Sequence, residues 1–305
     1  MNHTQFFAAV KAGDFKPVYL FEGTEEYIKS QALARLCEKR LPAGLEAMNR
    51  TDLQNPAADE LIAAAETLPF MAEKRVVIAR DCDLLTGKKN DDAKLDAIVD
   101  FSPMNDAECA LWAQRTLKGM GKALDNLTAQ KLIFTVGRDA ALLRQEMEKL
   151  TAYAGEREAI AEEDVDAVCV KSLECTVFQM VDAQVAGKDG EALRLLQSMV
   201  QAGEERMMIL AMLLRQYRLM YHARCLTDER AQPAKIASVL GIPPFAVSRT
   251  QAQARRYPTQ RLKDAYDYLL RYEYLLKTGQ LPQESCAENA MLHLPHILCG
   301  ETNQL

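Results

Sequence analysis

The sequence predicts a mostly helical α+β chain, with a small α/β region followed by two helical regions. Three observations carry this. In the first third of the chain, two short apolar runs, Pro17-Val18-Tyr19-Leu20-Phe21 and Val76-Val77-Ile78, alternate with stretches of helical spacing. That is the order of a small parallel sheet covered by helices. Beyond it, apolar residues recur at helical spacing. Aromatics make up only 7% of the 305 residues, and Ala and Leu are plentiful, which favours helix.

Residues 17–21 read as a strand closed by a turn at Glu22-Gly23. A helix follows over 25–39, with Ile28, Ala32, Leu33 and Leu36 at helical spacing. A second spans 56–68, with Leu61, Ile62 and Ala65 on one face, and a buried strand spans 75–79. Then come helices over 106–119, anchored by Leu111, Trp112 and Leu117, and over 128–136, carrying Leu132, Ile133 and Val136. Asp139 caps the next helix, where Leu143, Met147, Leu150 and Ala154 share a face. A short helix covers 162–170. Asp189 is expected to cap a helix carrying Leu193, Leu196, Met199 and Val200, which ends near Gly203. The helix over 204–226 places Leu210, Leu214, Tyr217 and Tyr221 on a stripe. The last, over 259–278, carries Leu262, Ala265, Leu269, Tyr272 and Leu276, with Glu273 and Lys277 paired at i, i+4.

Composition narrows the function. No apolar run is long enough for a membrane span, and the opening residues lack the order of a signal peptide, so a cytoplasmic location is expected. Eight cysteines occur without a Cys-x-x-Cys pair, which predicts reduced, packed thiols and no zinc site. His293 and His296 flank a stretch containing Pro295 and have no second pair nearby, so they read as packing residues. The net charge of −6 disfavours wholesale wrapping by nucleic acid. It is uneven, however. Residues 233–263 hold six basic residues and no acidic one, leaving −12 on the rest of the chain.

The strand–turn–helix at Gly23 is where a nucleotide-binding protein places its phosphate loop. The turn reads Gly23-Thr24-Glu25-Glu26-Tyr27-Ile28-Lys29-Ser30. The second glycine of GxxxxGK[ST] is missing, and two carboxylates stand where polyphosphate would lie. No cofactor or metal is expected. Glu146 and Glu148 sit on different faces of a helix and do not form an acid–base pair. No nucleophile elbow is present.

The most informative stretch is Glu66-Thr67-Leu68-Pro69-Phe70-Met71-Ala72-Glu73-Lys74-Arg75. Pro69 drives Leu68 out of helical geometry. Phe70 and Met71 therefore lie in a short connector, where polar residues are usual. Either they fold back onto the domain, or they anchor in a partner's pocket. Burying both could contribute roughly 3–6 kcal/mol from apolar area.

These residues resemble the delta subunits of bacterial DNA polymerase III clamp loaders. The resemblance runs through Val18-Tyr19-Leu20-Phe21-Glu22-Gly23, the stretch from Thr67 to Val77, Gln145-Glu146-Met147-Glu148-Lys149-Leu150 and Glu163-Asp164-Val165. It continues through Val177-Phe178-Gln179-Met180-Val181-Asp182-Ala183, Arg215-Gln216-Tyr217-Arg218 and Leu276-Lys277-Thr278-Gly279. It implies a degenerate AAA+-like first domain over 1–102, a helical lid over 103–171 and a helical collar over 172–305. It implies that Phe70 and Met71, backed by Leu68 and Pro69, insert into a pocket of the sliding clamp (beta) and open the ring. It further implies that the collar joins the ATPase subunits (gamma/tau) and delta-prime, and that any polymerase activity belongs to the holoenzyme. A strand–helix unit of the family pattern has no counterpart near Ala97–Ile98.

The competing reading is a helix–turn–helix DNA-binding regulator built on residues 233–249, with Gly241 in the turn. Phe245-Ala246-Val247 offers a recognition helix little hydrogen bonding to bases. Lys235, Arg249, Arg255 and Arg256 are the expected contacts to primer–template DNA or a neighbouring subunit. A third reading, an ATPase subunit of the same machine, conflicts with the turn at Gly23.

Overall fold

The computed structural model describes residues 1–82, 97–242 and 244–300. The chain divides into two compact units, Met1–Pro103 and Met104–Leu305. The fold is mostly α, with a small α/β part.

The first unit runs α1 (His3–Ala12), β1 (Tyr19–Glu22), α2 (Glu26–Arg40), α3 (Glu46–Asn49), β2 (Arg50–Gln54), α4 (Ala58–Glu66), β3 (Val76–Arg80) and β4 (Ala97–Asp100). Helix α1 is started by an Asn2–Gln5 capping box. Its Phe6 is fully buried among Tyr19, Phe21 and Phe101, with ring centroids 5.2 Å from Phe21 and 5.3 Å from Tyr19. Helix α2 buries Ile28, Ala32 and Leu36. Its Cys37 joins Leu41 and Ile78 in a small cluster against β3.

The strands do not form one sheet. Among the described residues, β1 pairs in parallel with β4 (Tyr19 opposite Ala97) and β2 pairs in parallel with β3 (Arg50 opposite Val76). The expected grouping of residues 17–21 with 75–79 is thus corrected: each has a different neighbour. The stretch 83–96 lies outside the described residues, as does the side chain of Phe245. A second correction concerns α4. Its apolar face is only partly covered: no residue of the helix is fully buried, Leu61 and Ala64 are partly buried, and Ile62 is exposed.

The second unit begins with α5 (Asp106–Gly119), α6 (Asn126–Val136), α7 (Ala140–Ala154) and α8 (Glu162–Val168). Asn105, Asp125 and Asp139 accept backbone N–H groups at the starts of α5, α6 and α7. Leu117, Leu132, Leu143, Met147, Leu150 and Val165 are fully buried, whereas the expected anchor Leu111 is exposed.

It continues with α9 (Leu173–Val185), α10 (Asp189–Gln201), α11 (Arg206–Asp228), α12 (Pro233–Leu240), α13 (Pro244–Ala254), α14 (Thr259–Lys277) and α15 (Cys286–Cys299). One core, including Met180, Leu196, Leu210, Leu213, Tyr217, Leu262, Leu269 and Leu294, joins α9, α10, α11, α14 and α15. The buried stripe of α11 is Leu210, Leu213, Tyr217 and Met220, so Leu214 and Tyr221 sit at its edge. Asp189 is the first residue of α10 and does not cap it; Lys188 holds the cap position.

Helix α15 continues through Pro295. Proline cannot donate to the carbonyl four residues back, that of Met291. The buried Gln184 of α9 supplies the missing donor, Nε2 to Met291 O at 3.3 Å, and its Oε1 accepts from the Tyr217 hydroxyl at 2.8 Å. Burial holds the Tyr217 phenol well above its ordinary pKa.

Candidate functional site: an exposed apolar tip

Helix α4 stops at Glu66, and Thr67 is already extended (φ −63°, ψ 121°). Pro69, two residues on, keeps Leu68 out of helical geometry as well, so the helix cannot resume. The Thr67 hydroxyl returns a hydrogen bond to Ala63 O at 2.8 Å, satisfying one carbonyl at the helix end. The connector to β3 then projects Leu68, Phe70 and Met71, which are 84%, 50% and 79% exposed, with Pro69 half-buried behind them. Leu68 and Met71 stand out in solvent, and Phe70 is half-exposed.

The connector is nevertheless held firmly. Asn49, fully buried at the end of α3, accepts the Phe70 N–H at 2.7 Å. Its amide donates to Phe70 O at 2.9 Å and to Leu45 O at 3.1 Å. At the far end, the Arg75 guanidinium donates to Met48 O at 3.1 Å and to Thr51 Oγ1 at 2.6 Å. Met71 has a left-handed backbone (φ 48°), which costs a non-glycine residue about 1–2 kcal/mol. No sequence signal points to Asn49. It lies 21 residues from Phe70 in a polar stretch, and neither periodicity nor motif marks it.

The Gly23 turn is closed by its own chain. Gly23 has φ 103°, and a Cβ there would collide with the Phe101 carbonyl. Glu25 N donates to Phe101 O at 3.0 Å, and Phe101 N donates to Glu22 O at 2.8 Å. Lys29 pairs with Glu26 at 2.7 Å. An N–H and a cation that a phosphate loop would offer its ligand are thus engaged within the turn.

The basic segment is dispersed. Lys235, Arg249 and Arg255 are exposed. Arg256 Nη1 donates to Val185 O at 2.9 Å, capping the C-terminus of α9. Arg261 pairs with Asp264 and Lys263 with Asp267. Near the start of α13, Ala246 and Val247 are buried with Leu219 and Ile236, facing away from any groove a recognition helix would enter.

Other candidates resolve into structure. Glu146 is buried, pairs with Lys149 at 2.6 Å and accepts the Val170 N–H; Glu148 instead bonds Arg144. Burial, reinforced by the Glu146 carboxylate, pushes the Cys169 thiol up to about 12, which leaves it unreactive. Among the described residues there is no cluster of three or more metal-ligating side chains, and no helix is long and apolar enough to cross a membrane.

Residues 19–111 match the family described as "DNA polymerase III, delta subunit", and residues 174–294 match "DNA polymerase III delta subunit, C-terminal domain". The DNA polymerase III subunit delta of Bacillus subtilis is 25% identical over 329 residues, spanning 94% of this chain and 95% of that protein. The solved structure of the Bacillus subtilis DNA clamp loader delta protein (YqeN) superposes with a TM-score of 0.54 at 24% identity, covering 96% of this chain and 99% of that one. A mostly helical chain with a small α/β unit is the fold shared with that clamp loader delta protein. The chain belongs to the delta-subunit family of DNA polymerase III.

Proposed function

We propose that this chain binds the ring-shaped sliding clamp through Leu68, Pro69, Phe70 and Met71 and opens it for loading onto primed DNA. It would do so without binding or hydrolysing ATP. The observation that carries this reading is the tip: large apolar side chains exposed on a connector that buried hydrogen bonds keep in place. Rigid display lowers the ordering cost of insertion. Opening requires the tip to bind the sprung ring better than the closed one. The engaged Gly23 turn supports leaving ATP chemistry to partner subunits, which would control exposure of the tip.

The same reading assigns residues 103–171 to a lid and 172–305 to a collar that joins the gamma/tau ATPases and delta-prime. Contact with primer–template DNA would be weak or indirect, and the location cytoplasmic. It also takes the first domain to lack one strand–helix unit. Two features support this. Among the described residues the strands form two separate parallel pairs and not one sheet. And 94% of 305 residues is about 287, so about 40 of the 329 aligned positions face no residue of this chain.

The test is binding to the clamp of the same cell, wild type against Phe70→Ala/Met71→Ala, without nucleotide. Loss in the double variant with unchanged helical content supports the tip. Equal binding by both removes it from the contact. Retention on duplex DNA with no clamp binding by either would return attention to residues 233–263.

A further inference from the structure

The Asn49 side chain does more than fill space. Its amide faces the Phe70 backbone as a neighbouring strand would, meeting both the N–H and the carbonyl of one residue. The orientation is fixed, because only Oδ1 can accept the Phe70 N–H and only Nδ2 can donate to Phe70 O. A third bond, to Leu45 O, ties the amide to the start of α3, and full burial shields the set from water. Arg75 anchors the far end of the connector to Met48 and Thr51, at the same α3–β2 junction.

What these bonds hold in place is costly by itself. Phe70 is followed by a left-handed Met71, a conformation that persists only where the surroundings over-determine it. The side chains on either side of the grip, Leu68 and Met71, are the most exposed large apolar residues among those described, at 84% and 79%. Released from the grip, the connector gains other arrangements, and those that cover its apolar groups are favoured over the displayed one.

We propose that Asn49 is the positioning residue of the tip: its grip on the Phe70 backbone keeps the connector in the one arrangement that can enter the clamp pocket. This rests on the clamp-binding reading above. In linkage terms, Asn49 sets the fraction of molecules that are competent to bind, and the apparent affinity scales with that fraction. The signature is kinetic. Losing the grip slows association and leaves dissociation unchanged, because the bound state keeps the same apolar contacts. Truncating Phe70 does the reverse and speeds dissociation.

The experiment compares wild type, Phe70→Ala/Met71→Ala, Asn49→Ala and the isosteric Asn49→Asp, all as full chains, for association and dissociation rates on immobilised clamp. Hydrogen exchange at the Phe70 amide and thermal melting are measured on the same preparations. Should Asn49→Ala fail to fold, Asn49→Asp keeps the side-chain volume while losing the donations to Phe70 O and Leu45 O. The expected result is association about tenfold slower in the folded Asn49 variants, dissociation within twofold of wild type, and a Phe70 amide that loses protection. A folded Asn49 variant that associates at the wild-type rate, while Phe70→Ala/Met71→Ala is impaired, overturns the role of Asn49 and leaves the tip intact. Wild-type binding by Phe70→Ala/Met71→Ala overturns the tip, and Asn49's role with it.

Discussion

Pro69 and Pro295 each stand where a helix would lose a backbone partner, and a buried amide side chain meets the consequence in both places, with opposite results. At Pro295 the helix continues, because Gln184 donates to the Met291 carbonyl that proline leaves open. The surroundings close over it, and Gln184 and Tyr217 are both buried. At Pro69 the helix ends, and Asn49 binds the backbone of the residue that follows. There the side chains beyond the amide point into solvent. The same device closes a core in one unit and displays an apolar surface in the other. The difference lies in the side chains around it: Met291, Leu294 and Ile297 beside Pro295 have a core to enter. Leu68, Phe70 and Met71 follow an α4 that fully buries no residue. Substitutions at the first place should therefore register in stability, and at the second in binding.

The largest effect is expected at the tip. Met71→Asp would place a carboxylate in an apolar pocket. The lost apolar burial of this one side chain is worth about 1.5–3 kcal/mol, and desolvating the charge adds to it. Clamp binding should fall by well over a hundredfold, while the melting temperature stays put because Met71 is 79% exposed. A variant that unfolds instead would mean the tip is core, and the contrast between the two prolines would fail.

Next comes Gln184→Leu, which keeps the volume but strands the Tyr217 hydroxyl and the Met291 carbonyl. An unsatisfied buried group costs about 1–3 kcal/mol, so urea unfolding should show a loss of about 2 kcal/mol or more. Clamp affinity should not change. Stability equal to wild type would show that α15 tolerates Pro295 unaided.

A smaller effect separates the arginines of the basic segment. Arg256→Ala removes the bond to the α9 carbonyl of Val185 and should cost about 1 kcal/mol in unfolding free energy. Lys235→Ala and Arg255→Ala, at exposed side chains, should stay within about 0.5 kcal/mol of wild type. Equal melting of all three would place Arg256 with the solvated charges.

How much of this could be read from the sequence depends on where each signal resides. Helix α5 and the buried faces of α7 and α14 follow from apolar spacing, because each helix packs one continuous stripe into a core. The tip was legible because a proline and two large apolar residues in a connector violate the usual polarity of loops. Strand β2 was not: only Thr51 and Leu53 of Arg50-Thr51-Asp52-Leu53-Gln54 turn inward, which leaves too little apolar pattern to register. Helix α15 was missed because Pro295 reads as a stop, and the donor that meets the carbonyl it leaves open, Gln184, lies 107 residues from Met291. Asn49 was missed for the same reason: its partner is distant in sequence and is a backbone, so no residue type announces it.

The smallest expected effect tests whether the engaged carboxylate of Asp164, buried beside a half-exposed Arg157, registers in stability, as the comparison requires. Asp164 accepts two bonds from Arg157, at 3.0 and 2.9 Å, and one from Ala161 N at the start of α8. The Arg157 bonds first, and the Ala161 N–H second, hold its carboxyl below the usual carboxylate range. A carboxyl whose pKa is lower in the folded state contributes stability above the unfolded value, about 3.9, and loses it as pH falls through the folded value. Arg157 is about half exposed, so solvent screens the pair and the contribution is modest. Asp164→Asn keeps the shape and can still accept the Ala161 N–H, but it carries no charge. The stability gap between wild type and Asp164→Asn should be widest near pH 7 and should narrow below about pH 4 as wild type takes up its proton. Denaturant titrations of both proteins at several pH values from neutral to acid would read it. A gap that stays constant across that range would mean the carboxyl titrates alike in the folded and unfolded chains. The Arg157 bonds would then add no more than an exposed ion pair does, and engagement alone would not separate the stabilising charges of this chain from its free ones.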